Sequence, residues 1–182
     1  MSEQAVGGDE DGRLLAEYAA TGDERALRTL YERWAPRLLS FLTRYMGDAA
    51  AAEDALQEAF WRLARNAGRY DPSRPFPAWA WRVALNAANN ILRGRRHVPL
   101  LDGAAAAAGN PADDDGDATA AVRAALSELP EYHRSVFILY FWHDLPYQDI
   151  AELLRIPVGT VKSRMHYAVR ALKERLKGIL EE

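Results

Sequence analysis

Tyr147-Gln148-Asp149-Ile150-Ala151-Glu152-Leu153-Leu154, followed by Arg155-Ile156-Pro157-Val158-Gly159 and Thr160-Val161-Lys162-Ser163-Arg164-Met165-His166, decides how this chain folds. Ile150, Leu153 and Leu154 recur at helical spacing, so the first stretch reads as a short helix with one apolar side. Pro157 lacks an amide hydrogen and turns the residue before it away from helical geometry, so Arg155 to Gly159 break the helix. Val161, Met165, Ala168, Val169, Leu172 and Leu176 then form the buried stripe of a second helix. The pair predicts a helix-turn-helix over 147–176. Lys162, Ser163, His166 and Arg170 fall outside the stripe, as one exposed strip near the second helix's start. Lysine donates to guanine O6 and N7, serine pairs with several base edges, and histidine donates to N7. Gly159 and Thr160 at the helix start offer free amides to a phosphate. An ordinary helical hairpin with a solvated basic face has the same pattern, so this segment alone leaves both readings open.

Upstream, the apolar steps Leu27, Leu30, Tyr31, Trp34, Leu38, Phe41, Leu42 and Tyr45 predict a helix. Asp23 stands as its N-cap and Gly47 as its stop, and Pro36 is expected to interrupt and bend it. Ala51 to Arg65 is a second helix, with Leu56, Phe60 and Leu63 inward. Arg69 to Pro77 is a proline-stiffened loop, and a third helix runs from about Ala78 to Arg93. Trp79, Val83 and Leu85 are among its apolar positions, and Trp79 and Trp81 read as core. Downstream, Ala120–Leu129 and Glu131–Trp142 are helices broken by Pro130. Strand alternation is absent, and the fold class is all-α.

The chain has 182 residues and a net charge of −3, unevenly distributed. Residues 24–97 carry thirteen arginines against seven acids, whereas residues 98–118 carry five aspartates and no base. A basic block is thus hidden by acidic tracts, as in a nucleic-acid binder with a solvated spacer. Residues 98–118 also combine alanines with Gly109-Asn110-Pro111 and Asp113-Asp114-Asp115-Gly116-Asp117, and read as a flexible acidic linker. The expected organisation is a disordered tail over 1–11, a helical domain over 12–97, the linker, and a second helical domain over 119–182.

The chain has no cysteine, which excludes a disulfide framework, a thiolate zinc site and a cysteine nucleophile. His97, His133, His143 and His166 lack metal-ligand spacing. No assembled nucleophile–base pair or phosphate-binding glycine loop suggests an enzyme, and no cofactor is expected. No apolar run reaches a membrane span, and the acidic start is unlike a secretory signal, so the expected location is cytoplasmic, without membrane insertion.

Two separated motifs then coincide in order. Asp54-Ala55-Leu56-Gln57-Glu58-Ala59-Phe60 and Trp79-Ala80-Trp81-Arg82-Val83-Ala84-Leu85-Asn86 precede Tyr147-Gln148-Asp149-Ile150-Ala151 and Pro157-Val158-Gly159-Thr160-Val161-Lys162-Ser163-Arg164. With them the chain resembles bacterial RNA polymerase sigma factors of the sigma-70 family, extracytoplasmic-function (ECF) group, which keep only regions two and four. The resemblance covers about residues 12–97 and 119–178. It implies a non-enzymatic promoter-specificity subunit that binds core polymerase, reads the −10 and −35 elements and promotes strand opening.

The resemblance also distributes roles. Asp54, Gln57, Glu58 and Trp61, on one helix face, would contact the clamp helices of the largest polymerase subunit, and the flap of the second-largest subunit is a further implied partner. Asn66 and Tyr70 would wall a pocket for a flipped −10 base, and Asn86 and Asn90 would read its edge. Arg93, Arg95 and Arg96 would hold phosphates. Lys162, Ser163 and His166 would face −35 bases, with Thr160, Arg164 and Arg170 at phosphates or in structural contacts. Tyr167 and Val169 stand where the family often has arginines. An anti-sigma factor is implied as a regulator, and the acidic linker either spaces the domains or mimics nucleic acid in the polymerase cleft. A stand-alone helix-turn-helix regulator would need a dimerisation helix, and a sigma mimic would need a degraded reading face. The sequence offers neither.

Overall fold

In a computed structural model, residues 4–97 and 117–180 are described, with side chains over 10–95 and 120–177. The expected acidic linker lies outside them except for its last two residues, which open a helix, and the side chain of Arg96 lies outside them too. Among the described residues all regular structure is helical: α1 (Gln4–Thr21), α2 (Glu24–Met46), α3 (Ala49–Arg65), α4 (Phe76–His97), α5 (Asp117–Ser127), α6 (Glu131–Phe141), α7 (Tyr147–Leu154) and α8 (Val158–Leu180). A single 3-10 turn, Ala67–Arg69, follows α3.

The local signals act as the sequence suggests. The Asp23 carboxylate accepts from the Arg25 amide and opens α2, while Gly47, at φ 70°, closes it by donating to the Thr43 carbonyl. Asp48 caps α3 through the Ala51 amide. Pro36 does not interrupt α2, which runs unbroken from Glu24 to Met46. Trp34, Ala35 and Leu38 around the proline are all buried, and their packing holds the helix together. Tyr31, expected in the buried stripe, is 45% exposed and leans on Phe60 at 4.7 Å between ring centroids. Trp79 is only half-buried, whereas Trp81 is core.

The tail expected over residues 1–11 is helical from Gln4 onward. Its anchor is long-range. The Asp11 carboxylate, 5% exposed, accepts from Trp34 Nε1 at 2.8 Å and from Arg33 Nη1 at 2.9 Å, while Glu10 takes the other side of the same guanidinium. Leu15 is fully buried beneath them, which contributes roughly 2 kcal/mol by apolar burial. Local composition argued for disorder, and these contacts with α2 overrule it. Asp11→Ala leaves Trp34 Nε1 buried and unpaired, so stability in urea should fall by about 2 kcal/mol. An unchanged midpoint would show that α1 is not anchored there.

α1 to α4 build one bundle and α5 to α8 another, with α8 as the spine of the second. The two bundles are packed together. α6 lies on α2, α7 on α4, and one continuous apolar core runs from Leu15 to Met165. His143, from the α6–α7 connection, is 8% exposed and sits against the rings of Trp81 at 4.5 Å and Phe41 at 5.9 Å. Burial foremost, then the charges of Arg44 and Arg37, push its pKa down to about 4, against a small opposing pull from Asp144.

The neutral imidazole thus carries a pH consequence. The unfolded chain takes up this proton below about pH 6.5 and the packed state only near pH 4, so stability is full above 7 and falls with pH between those values. The loss approaches about 1.4 kcal/mol per pH unit within the window. His133, also lowered by burial and then by Arg164, acts in the same direction. Urea midpoints of His143→Gln should fall less steeply between pH 6.5 and 5 than those of the unsubstituted protein, and parallel curves would exclude this origin.

Candidate nucleic-acid interface

The second helix of the helix-turn-helix begins at Val158, because Pro157 supplies the turn and its carbonyl accepts from the Thr160 and Val161 amides. Arg155 ends α7 in left-handed conformation at φ 55°. Val161, Met165, Ala168 and Leu172 are buried as the stripe predicts, and Val169 and Leu176 are half-buried. Lys162, Ser163, His166 and Arg170 are therefore exposed together on α8. The Ser163 hydroxyl donates to the Thr160 carbonyl at 3.0 Å, and Arg170 reaches Glu174 at 3.4 Å. Among the described residues Lys162 and His166 engage no acid, so their donors remain available to an outside acceptor.

Beside this strip lies an aromatic shelf that the sequence did not disclose. His133 of α6 stacks on Tyr167 at 5.8 Å and 19°, and Arg164 lies over the Tyr132 ring at 5.4 Å. Tyr167 is 54% exposed, so its hydroxyl reaches solvent while its ring is braced. The brace spans residues 34 positions apart in the chain, a pairing that no local pattern reports.

On α3, Asp54, Gln57 and Trp61 are exposed on one face, opposite buried Leu56, Phe60 and Leu63. Glu58 shares that face but accepts from Arg62 Nε at 2.6 Å. Trp61 is 54% exposed and carries the Arg65 guanidinium over its ring at 4.9 Å. The face combines carboxylates, an amide and a large apolar ring.

The residues expected at the −10 element divide. Tyr70 is half-buried against Phe76 and Trp79, and its hydroxyl donates to the Arg74 carbonyl at 2.7 Å. The Asn66 side-chain amide donates to the Arg62 carbonyl at 2.8 Å, finishing α3. Asn86 and Asn90 are both exposed one turn apart on α4, and Asn90 accepts from Arg93 Nη2 at 2.6 Å. Asn89 between them accepts from the Tyr45 hydroxyl instead. Arg95 is held by Asp48 at 2.7 Å, and this bond, after the Ala51 amide, keeps the Asp48 carboxyl below the usual carboxylate range. The ion pair competes with any phosphate for Arg95. Arg69, Arg74 and Arg82 line the same face, and only the density of arginine along the sequence hinted at them.

α1 contributes to this face too. A side chain at Gly12 would place its Cβ 2.7 Å from the Tyr70 hydroxyl oxygen, so only glycine admits the ring in its present position. Among the described residues no cluster of His, Asp or Glu could hold a metal ion, and no helix is long and apolar enough to cross a membrane.

Comparison with known proteins accords with this geometry. Residues 30–98 match the family description Sigma-70 region 2, and residues 119–172 match Sigma-70, region 4. The chain is 33% identical to RNA polymerase sigma-H factor of Pseudomonas aeruginosa, over 95% of this chain and 97% of that one. It is 35% identical to RNA polymerase sigma factor CarQ of Myxococcus xanthus, over 88% and 94%. The ECF RNA polymerase sigma factor SigL of Mycobacterium tuberculosis is also 35% identical, over 85% and 91%. Two solved structures share the fold at a TM-score of 0.71: CnrH in complex with the cytosolic domain of CnrY, 24% identical over 92% of this chain and 98% of that one, and RpoE with the anti-sigma factor NepR from Bartonella quintana, 23% identical over 82% and 96%.

Proposed function

The chain belongs to the sigma-70 family of RNA polymerase sigma factors, in its ECF group, and is thus not an enzyme but a transcription-initiation subunit; from that premise we propose how its residues divide the work. The first module, over 12–97, docks on the clamp helices of the largest polymerase subunit and opens the −10 element. The second, over 119–182, meets the flap of the second-largest subunit and reads the −35 element in the major groove. The observation that carries this reading is the strip of Lys162, Ser163, His166 and Arg170 on α8, which the buried opposite side of the helix turns towards solvent.

Asp54, Gln57, Glu58 and Trp61 supply the polymerase contact. Tyr70 lines the space for an unstacked base, Asn86 and Asn90 offer amides to its edge, and Arg93 and Arg96 meet phosphates. Asn66 supports this site by closing α3, and Arg95 joins only if Asp48 releases it. Thr160, Arg164 and Arg170 hold the duplex backbone beside α8. Captured bases offset the few kcal/mol of lost stacking, so opening needs no hydrolysis.

The two elements named by −10 and −35 lie about 25 base pairs apart, roughly 85 Å along B-DNA at ~3.4 Å per pair. A globule of this length has a radius of gyration of about 16 Å. The packed bundles cannot reach both elements, so engagement requires them to separate. The 19 residues from 98 to 116 can span up to about 65 Å when extended, enough for that. A protein that grips both bundles while packed would block initiation. CnrH is seen in complex with the cytosolic domain of CnrY and RpoE with the anti-sigma factor NepR, which favours regulation by an anti-sigma factor here.

Run-off transcription with core polymerase and a promoter library tests the reading, and no specific start at any promoter would end it. Asp54→Ala with Glu58→Ala is expected to weaken core binding while leaving duplex binding intact. Gly12→Ala displaces the Tyr70 ring and should weaken capture of a −10 single strand about five-fold, the worth of roughly one hydrogen bond. Gly68→Ala, where a Cβ meets nothing within 4 Å, should leave capture unchanged. Equal losses in the two glycine variants would remove Tyr70 from the site.

A further inference from the structure

Where α7 packs on α4, the fold gathers positive charge that it does not neutralise. Arg69 and Arg74 come from the turn and loop before α4, Arg82 from α4 itself, and Arg155 from the residue that ends α7. All four line one cavity of about 630 Å³, walled on one side by Tyr70 and Trp79. Its only acids are Asp71 and Glu152, and Asp71 is already engaged by the Ser73 amide and hydroxyl and by Arg74 at 3.5 Å. Arg69, Arg82 and Arg155 have no carboxylate within ion-pair distance among the described residues.

Arg82 is the most constrained of them. It is half-buried, and its Nε is shielded from solvent with no hydrogen-bond partner. Burial first, then the like charges of Arg155 and Arg74, lower its pKa. A buried donor without an acceptor is costly, and so is like charge across a domain contact. The like-charge cost falls if an anion with several oxygens lies between the guanidinium groups, which bind phosphate oxygens in fork geometry.

We propose that this seam is a binding site for a small phosphate-bearing anion of the pyrophosphate class, whose oxygens bridge Arg82 of the first module and Arg155 of the second. The volume suits a ligand between inorganic pyrophosphate and a nucleotide. Tyr70 and Trp79 lean on each other at 5.3 Å and leave no slot for a base to enter between them, so the phosphates supply the affinity. Because the ligand touches both modules, it stabilises the packed form over the separated one and opposes promoter engagement. The site itself depends on the packing of α4 against α7, and its effect on promoter engagement rests on the function proposed above.

The test uses the full chain, with sodium pyrophosphate as probe and sodium chloride at matched ionic strength as control, read by calorimetry and small-angle scattering. Arg155→Gly is the informative variant: glycine suits φ 55°, so the charge goes without strain at the turn. Arg82→Met is the second, removing the charge from the opposite module. Each variant is expected to bind pyrophosphate about ten-fold more weakly or worse, the worth of one charge-assisted contact. Pyrophosphate should keep the unsubstituted protein compact and leave the shape of Arg155→Gly unaffected. Absence of binding beyond the chloride control overturns the proposal, as does binding that Arg155→Gly leaves intact. A short single-stranded oligonucleotide forms the third arm. If Arg155→Gly weakens it as much as it weakens pyrophosphate, the seam belongs to the nucleic-acid path and the small-anion site is wrong. Run-off transcription by the unsubstituted protein reports separately on the promoter reading.

Discussion

Arg134→Met is expected to cost the folded protein about 3 kcal/mol or more, the largest loss from any single charged side chain here. Arg134 is 9% exposed on α6. One Nη donates to the Tyr45 carbonyl at 2.6 Å, and the other donates to the carbonyls of Ser127 and, at 2.8 Å, Leu129. These carbonyls lie at the ends of α2 and α5, where no further amide follows in the helix and the dipole is negative. One guanidinium therefore closes two helices from different bundles. Methionine fills similar space but removes the donor that all three carbonyls share. Lysine should rescue little, because one ammonium cannot reproduce the planar fork. For a chain of this size the loss corresponds to a melting temperature lower by roughly 10 °C. Urea unfolding checks it, and a midpoint unmoved in Arg134→Met would mean that the bundles are held by apolar contact alone.

Lys162→Ala combined with His166→Ala should lower initiation at promoters that depend on a −35 element by about 30-fold or more. Each good base contact is worth roughly 1–3 kcal/mol, and two are removed. The fold should be unaffected, since both side chains are exposed and neither supports a buried group. Binding to core polymerase should be unchanged, because α3 carries that contact in the proposed division. Run-off yield at paired templates, with the upstream element intact or scrambled, isolates the effect: the variant should lose the difference between templates. An equal defect on both would place these residues elsewhere than over bases. The same defect from Asp54→Ala with Glu58→Ala would remove the division of labour altogether.

Much of this was legible from local pattern. The stripe Val161, Met165, Ala168 and Leu172 predicted the exposed strip on α8, because a helix that buries one side must present the other. Pro157 marked the turn, and Asp23 and Gly47 bracketed α2, since capping depends on a few adjacent residues. The family resemblance rested on motifs of the same local kind.

The structure added what distant residues decide. The part of α1 before Gly12 reads as a polar tail until Trp34 and Arg33 are seen to receive Asp11. Arg95 reads as a free cation until Asp48 claims it, 47 positions upstream. The His133–Tyr167 stack and the arginine seam leave no trace in spacing, because each is made by helices that the chain connects only remotely.

Helix positions, their caps and the apolar face of each helix follow from the order of amino acids alone, because those depend on contacts within a turn or two of the chain. Which bundle faces which, where His143 is buried, and that Arg82 and Arg155 share one cavity were decided only by the tertiary structure. The physical reason is that burial and charge pairing act through space, and their partners are fixed only when the helices have packed.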